Sequence, residues 1–279
     1  MRRPLIASKQ HGVYAFFVYI TEQIKTNTMA KTTIPMTKAA TNISLLNEAN
    51  SVLTNFHTYP GMNIYELKWK ILDMLCRQYP ANTTLEEVYL KADTLNRYYS
   101  TTIFSILPMA QGIIHIPDID QRLLNGDPTL VKDNIQPNND IATIIPGHTN
   151  YSFATKYCAC HNPAAYPIYD NIVEDFFVAA IRSKHLAFPA IIGLSVSQIR
   201  NRMKNDYAFY KDIYTAFMQQ YNLTSLTYRE VDWYIWTAGK LLKGLLPVPY
   251  KNKSSVNVWT AGKSLMPQLP QFKQLFQLV

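Results

Sequence analysis

The sequence predicts a mainly α-helical protein, and three observations carry that prediction. Apolar residues recur at steps of three and four along most segments, and helix start and stop signals fall where those segments change. No stretch alternates at period two for long enough to build a sheet. From Asn42, the positions Ile43, Leu46, Ala49, Val52, Leu53 and Phe56 form one helical face, and Pro60-Gly61 stops it. A second helix starts near Asn63, with Ile64, Leu67, Ile71, Leu72 and Leu75 on one side, and ends before Pro80. Thr84 with Glu87 three residues on has the pattern of a capping box for a third, running through Leu95 and Tyr98. Ser100-Thr101-Thr102 is the junction into a further helix at Ile103 to Gln111.

Pro108, Pro117, Pro128 and Pro137 make the middle loop-rich, with turns at Gly126-Asp127-Pro128 and Gln136-Pro137-Asn138-Asn139. Beyond it, helices are expected at about 152–161, 169–185, 195–221 and 227–242, and a short docking helix near 268–278. Residues 1–40 are expected to be a disordered or non-native leader, with Lys25 to Thr41, rich in Thr and Lys, as an unstructured lead-in; 41–115 is a first helical lobe, 116–245 a second, and 246–279 a tail folded onto the body. Trp236-Thr-Ala-Gly-Lys240 recurs as Trp259-Thr-Ala-Gly-Lys263; two copies are too few for a solenoid, so a local duplication is expected.

Composition bounds the function. The chain has 279 residues, 27 Lys+Arg against 19 Asp+Glu, a net charge of +8, 48% hydrophobic and 16% charged residues. These values exclude a disordered chain, a collagen and a coiled coil. The positive balance favours an anionic partner, because counterion release rewards each Lys or Arg set against a polyphosphate. No apolar run reaches the roughly 18 to 20 residues of a membrane span; Gly12 to Ile20, behind Arg2, Arg3 and Lys9, has only the outline of a signal peptide. Three cysteines in a chain that needs no disulfide staples suit a reducing cytoplasm. Cys158, Cys160, His161 and His148 offer soft metal ligands, but the offsets point them apart on one helix, so no metal is expected. Phosphate-binding, dinucleotide, serine-hydrolase and zinc-protease motifs are absent from the sequence.

The segment richest in chemistry is residues 145–173. Pro146-Gly147 makes a turn, a short helix bearing Lys156 follows, and Asn162-Pro163 ends it. Pro167-Ile168-Tyr169 then approaches Asp170 in extended form, and a new helix begins. A carboxylate there meets the positive end of that helix and its unpaired N–H groups.

This pattern resembles the helix-hairpin-helix base-excision DNA glycosylases: a Pro-Gly turn, a helix with a lysine, and a Pro-aliphatic approach to Asp170 with Ile172 and Val173 after it. The resemblance implies a two-lobed helical fold with the cleft between lobes and excision of a damaged or modified base in repair or antiviral defence. It implies Asp170 as the catalytic aspartate, Lys156 as the lysine that attacks the sugar in bifunctional members, and Pro146, Gly147, His148, Thr149 and Asn150 as the turn gripping DNA phosphate. The partner is then double-stranded DNA with a flipped base, read by a cytoplasmic monomer without cofactor.

Such a pocket needs aromatic walls and polar readers. In Leu95 to Thr102, Asn96 is placed to read a base edge, Tyr98 or Tyr99 to stack, and Arg97 to hold a phosphate, or these residues serve as core, solvated face and cap. Tyr169 and Trp236 are further wall residues. Arg200, Arg202, Lys204 and Lys211 make either a DNA-facing stripe or a solvated face. The rival function is a non-catalytic helical protein that binds nucleic acid or a partner, with Lys156 on phosphate and Asp170 only a helix cap; an N-glycoside hydrolase acting on a nucleotide is a third.

Overall fold

The computed structural model describes residues 44–59, 62–136, 139–242 and 269–276. They contain α1 (Leu46–Thr54), α2 (Met62–Gln78), α3 (Leu85–Tyr99), α4 (Ile106–Ile114), α5 (Ile119–Asn125), α6 (Tyr151–His161), α7 (Asn171–Arg182), α8 (Val196–Asn205), α9 (Tyr207–Gln220), α10 (Tyr228–Leu242) and α11 (Pro270–Phe276). There is no strand among the described residues, and the protein is mainly helical. The leader 1–40, Pro60-Gly61, Pro137-Asn138, the second Trp-Thr-Ala-Gly-Lys copy and most of the tail lie outside the described residues.

Local chemistry shifts several predicted boundaries. Thr84 precedes α3 but its side chain makes no cap hydrogen bond, so the Thr84–Glu87 box is not formed. A capping box does form at Ser195 and Gln198, ahead of α8. The long helix expected over 195–221 is two helices, because Asp206 takes extended backbone and accepts the N–H of Phe209 at 3.0 Å, starting α9. Left-handed Ser100 and Thr102 (φ 48° and 61°) delay α4 to Ile106. The middle segment, read as loop, contains α5, closed by Gly126 at φ 68°, where a Cβ would sit 2.7 Å from that of Ala165.

The helices pack as two groups. α3 lies on α2 and α4, and α6 lies across α2 and α3 with α5 beside it. In the other group α10 packs on α7, α1 and α11, while α8 packs on both α7 and α9. The grouping does not follow the predicted break at residue 115: α1 joins the late helices through α10, and α6 joins the early ones. Fully buried aromatics from α7, α9 and α11 fill the second group, with Phe176 stacked on Phe272 at 4.8 Å and edge-on to Phe217 at 5.2 Å.

Two long-range ties close the fold. Buried Glu48 of α1 accepts from Tyr234 Oη (2.7 Å) and from the N–H groups of Gln271 and Phe272 (3.0 Å each), capping α11. Cys76 and Cys160 are joined in a disulfide between the C-terminal ends of α2 and α6, leaving Cys158 free and buried. This corrects the expectation of three unpaired cysteines: a separation of 84 residues hides the pair in the sequence, and an odd count excludes nothing. Closing such a loop stabilises the fold by about 4.5 kcal/mol in the chain-entropy account.

Glu48→Gln should lower the unfolding free energy by about 1–3 kcal/mol in urea titrations, since a charged acceptor leaves two helix N–H groups. Asp93→Asn, which breaks the exposed pair with Arg97, should change it by less than about 0.5 kcal/mol.

Candidate active site

Asp170 is held by its backbone. Tyr207 and Tyr210 of α9 donate their hydroxyls to the carbonyls of Pro167 and Ile168 at 2.8 Å each, and the N–H of Tyr169 donates to Thr155 Oγ1 at 3.2 Å. Every residue of the extended approach is thereby tied to α9 or α6. Asp170 then caps α7, its Oδ1 accepting from Ile172 N at 2.8 Å. Its charge acts on Lys156, Tyr65, Tyr214 and Asp232, side chains from α6, α2, α9 and α10.

Lys156 is 7% exposed, an unusual place for an ammonium. Its Nζ donates to Ser152 Oγ one turn back, reaches the carbonyls of Ser152 and Tyr169 at 3.4 Å, and lies 6.0 Å from the ring centre of Tyr99. Burial pulls its pKa below the usual lysine value; Asp170 and Asp232 oppose the fall and Arg229 adds to it. Desolvation outweighs the pull of the two carboxylates, so the neutral amine is favoured relative to an exposed lysine.

α10 supplies the rest. Arg229 stacks its guanidinium 3.9 Å from the ring centre of Trp69 and 4.9 Å from that of Trp233, and its Nη1 meets Asp232 Oδ2 at 2.7 Å. Burial raises the Asp232 pKa to about 6, against Arg229, with Asp170 adding to the rise. Burial likewise raises the Tyr99 phenol, while Arg229 hydrogen-bonds to it and pulls the other way. Two cations and two carboxylates thus share one aromatic enclosure at the junction of both helix groups.

Other predicted residues are placed differently. Asn96 accepts from Thr101 Oγ1 (2.8 Å) and Ile103 N (3.1 Å) and donates to Ile103 O (2.9 Å), so its amide braces the α3–α4 turn instead of presenting a base-reading edge. Arg97 is exposed on Asp93, and Tyr98 is half-buried under Lys68 at 5.8 Å. Tyr169 is core: its ring packs on Tyr151 and Tyr210 and its hydroxyl donates to the Glu174 carboxylate, leaving no stacking face. Trp236 is half-buried, 5.0 Å from Tyr65, and borders the enclosure through it. Pro146, Gly147, His148 and Thr149 form an exposed turn with Gly147 at φ 76°, and Asn150 ties it down by donating its N–H to Ala142 O at 2.8 Å. Among the described residues no helix lies between Leu130 and Tyr151, so the turn has a helix after it and none leading in.

The cations of the suspected stripe are engaged. Arg200 pairs with Glu174 and Asp175, Lys204 with Glu174, Arg202 with Asp206, and Lys211 with the Gly126 carbonyl. No cluster of three or more metal-ligating side chains occurs among the described residues, and no helix there is long and apolar enough to cross a membrane. Arg229 and Trp69 escaped the sequence reading; the signal available was Arg229 and Asp232, three apart on a helix whose neighbours are apolar.

An uncharacterized protein of Haemophilus influenzae is 36% identical over 162 residues, covering 57% of this chain and 69% of that protein. The family described as HI_0787_N, N-terminal domain, matches residues 46–165. The chain belongs to the HI_0787_N family. Its matched region runs from α1 through α6 and includes Lys156 but not Asp170. No solved structure matches.

Asp232 generates a pH prediction. Folding raises its pKa from about 3.9 to about 6, so its favourable contribution is full below about pH 4 and is lost as pH rises through 6. His161, pushed down to about 3, works in the opposite direction over the same range, so the comparison must be with a variant. Wild type should lose about 2 kcal/mol relative to Asp232→Asn between pH 4 and 7 in urea titrations.

Proposed function

We propose that the protein is a DNA N-glycosylase that excises a damaged or modified base, with Asp170 and Lys156 as its catalytic pair. Support comes from one observation above all: the two residues that the sequence singles out lie in one electrostatic cluster, a buried amine of lowered pKa acted on by a helix-capping carboxylate.

Breaking an N-glycosidic bond develops positive charge on the sugar, and a fixed carboxylate stabilises it. Asp170 serves that role: its Oδ1 is oriented by the Ile172 N–H at the start of α7. The Lys156 amine, when neutral, attacks the sugar carbon as the base leaves, which yields a Schiff base and opens the lyase route. The target nucleotide must leave the stack to reach them. Tyr65, Tyr99 and Trp236 then offer ring faces or edges beside it, and Arg229 and Asp232 are polar groups for the extruded nucleotide. The exposed turn at 146–149 contacts phosphate.

The competing reading gains from the same hydrogen bonds, since Asp170 caps its helix and the Lys156 ammonium is engaged by Ser152 and Tyr169. One assay separates them. DNAs carrying normal, oxidised, alkylated and phage-type modified bases are incubated with protein, and base release and strand breakage are read with and without alkali. Asp170→Asn should lower release by about 100-fold or more, and Lys156→Gln should abolish alkali-independent breakage. No release from any substrate, with salt-sensitive DNA binding intact in both variants, would establish a binding protein instead.

A further inference from the structure

Rings and lysine amines from α2, α3 and α10 form a continuous row beside the Lys156–Asp170 enclosure. The Lys68 amine stands between two rings, 5.8 Å from the centre of Tyr98 and 5.5 Å from that of Tyr65, and donates to the Tyr98 carbonyl at 3.3 Å. Tyr65 meets Trp236 with ring centres 5.0 Å apart, and the Lys240 amine lies 5.2 Å from the centre of Trp236. Each of these residues is half-buried and keeps part of its surface in solvent. The row borders the enclosure twice. The charge of Asp170 acts on the Tyr65 phenol, and Tyr99, next in the chain to Tyr98, has its ring centre 6.0 Å from Lys156 Nζ.

We propose that this row binds single-stranded DNA, its rings stacking on bases and its amines pairing with the phosphates between them, so that the substrate of the enclosure is an unpaired strand. The inference deepens the glycosylase reading by naming the form of its DNA, and the choice of DNA over RNA rests on that reading. Alternation is the reason for a nucleic acid. A strand repeats a flat base and a negative phosphate, and rings interleaved with cations match both parts of that repeat. In the free protein the amines stand against the rings. A bound strand offers each ring a base face and each amine a phosphate, and releases counterions as it does so.

The strand is single because a duplex keeps its base faces stacked and shows a protein only base edges and backbone. A duplex also needs cations along its phosphates, and those of α8 are engaged: Arg200 and Lys204 by Glu174, and Arg202 by Asp206. Lys68 meets only rings and a carbonyl among the described residues, so its charge is open to a phosphate. An unpaired base also reaches Lys156 and Asp170 without the full extrusion that a duplex demands.

The test is fluorescence anisotropy of the full-length protein with a labelled, undamaged single strand of about 12 nucleotides. At equal salt the strand should bind more tightly than its duplex, and more tightly than an abasic strand of the same length, which keeps the phosphates and lacks the bases. Trp236→Leu should weaken strand binding by about 5- to 100-fold while leaving the weaker abasic binding nearly unchanged. Lys68→Gln, a change at a half-buried surface lysine that should leave the urea midpoint in place, should lower the slope of log affinity against log salt by about 0.7. Equal or tighter binding of the duplex, equal binding of the abasic strand, tighter binding of RNA of the same sequence, or an unchanged salt slope in Lys68→Gln would overturn the proposal. Undamaged strands make the outcome independent of base release. Release from duplexes with no preference for single strands removes this inference alone, whereas strand preference without release from any substrate removes the glycosylase reading and keeps the row as a strand-binding surface.

Discussion

Burying the charge of Lys156 is the constraint around which the described structure is organised. An ammonium taken out of water costs several kcal/mol unless charges and acceptors meet it. Two carboxylates, Asp170 and Asp232, come from different helices to do so, and each has a second partner: the Ile172 N–H for one, Arg229 for the other. The balance is incomplete in an informative way. Desolvation still outweighs attraction at Lys156 and Asp232, whose pKa values move toward each other. Groups poised in this manner recur at reactive sites, although structural ion networks show the same effect.

The scaffold makes that arrangement rigid. Tyrosines of α9 fasten the approach to Asp170 carbonyl by carbonyl, so the carboxylate's position follows from the core and not from a free loop. Trp69 and Trp233 both lie against the Arg229 guanidinium, whose Nη1 pairs with Asp232. At the other ends of α2 and α6 the disulfide fixes the spacing of the helices that supply Trp69 and Lys156. Glu48 joins the first described helix to the last, so the late helix group is closed across most of the chain's length.

Periodicity made the helices legible because one apolar face repeats at steps of three and four, and α2, α6, α10 and α11 fall within a few residues of where those steps placed them. What it could not show was decided by single side chains. Asp206 splits one long expected helix because its carboxylate finds the Phe209 N–H, and Thr84 sits in a capping pattern whose bonds do not form. The placement of Asp170 at the start of α7 and of Lys156 on α6 was legible from local pattern. The roles of Tyr169 and Asn96 were not, since those depend on partners: a hydroxyl meeting Glu174, and an amide meeting Ile103. Arg229 and the Cys76–Cys160 bond arise from contacts between helices far apart in sequence, where no spacing rule operates.

The coupling at Lys156 is most directly tested by carbon-13 NMR titration of protein labelled at the lysine ε-carbons, with its resonance assigned by loss in Lys156→Gln. The account predicts a pKa below that of the exposed lysines, falling further in Asp170→Asn and in Asp232→Asn as each favourable charge is removed. A Lys156 resonance that titrates with the surface lysines and ignores both substitutions would contradict it.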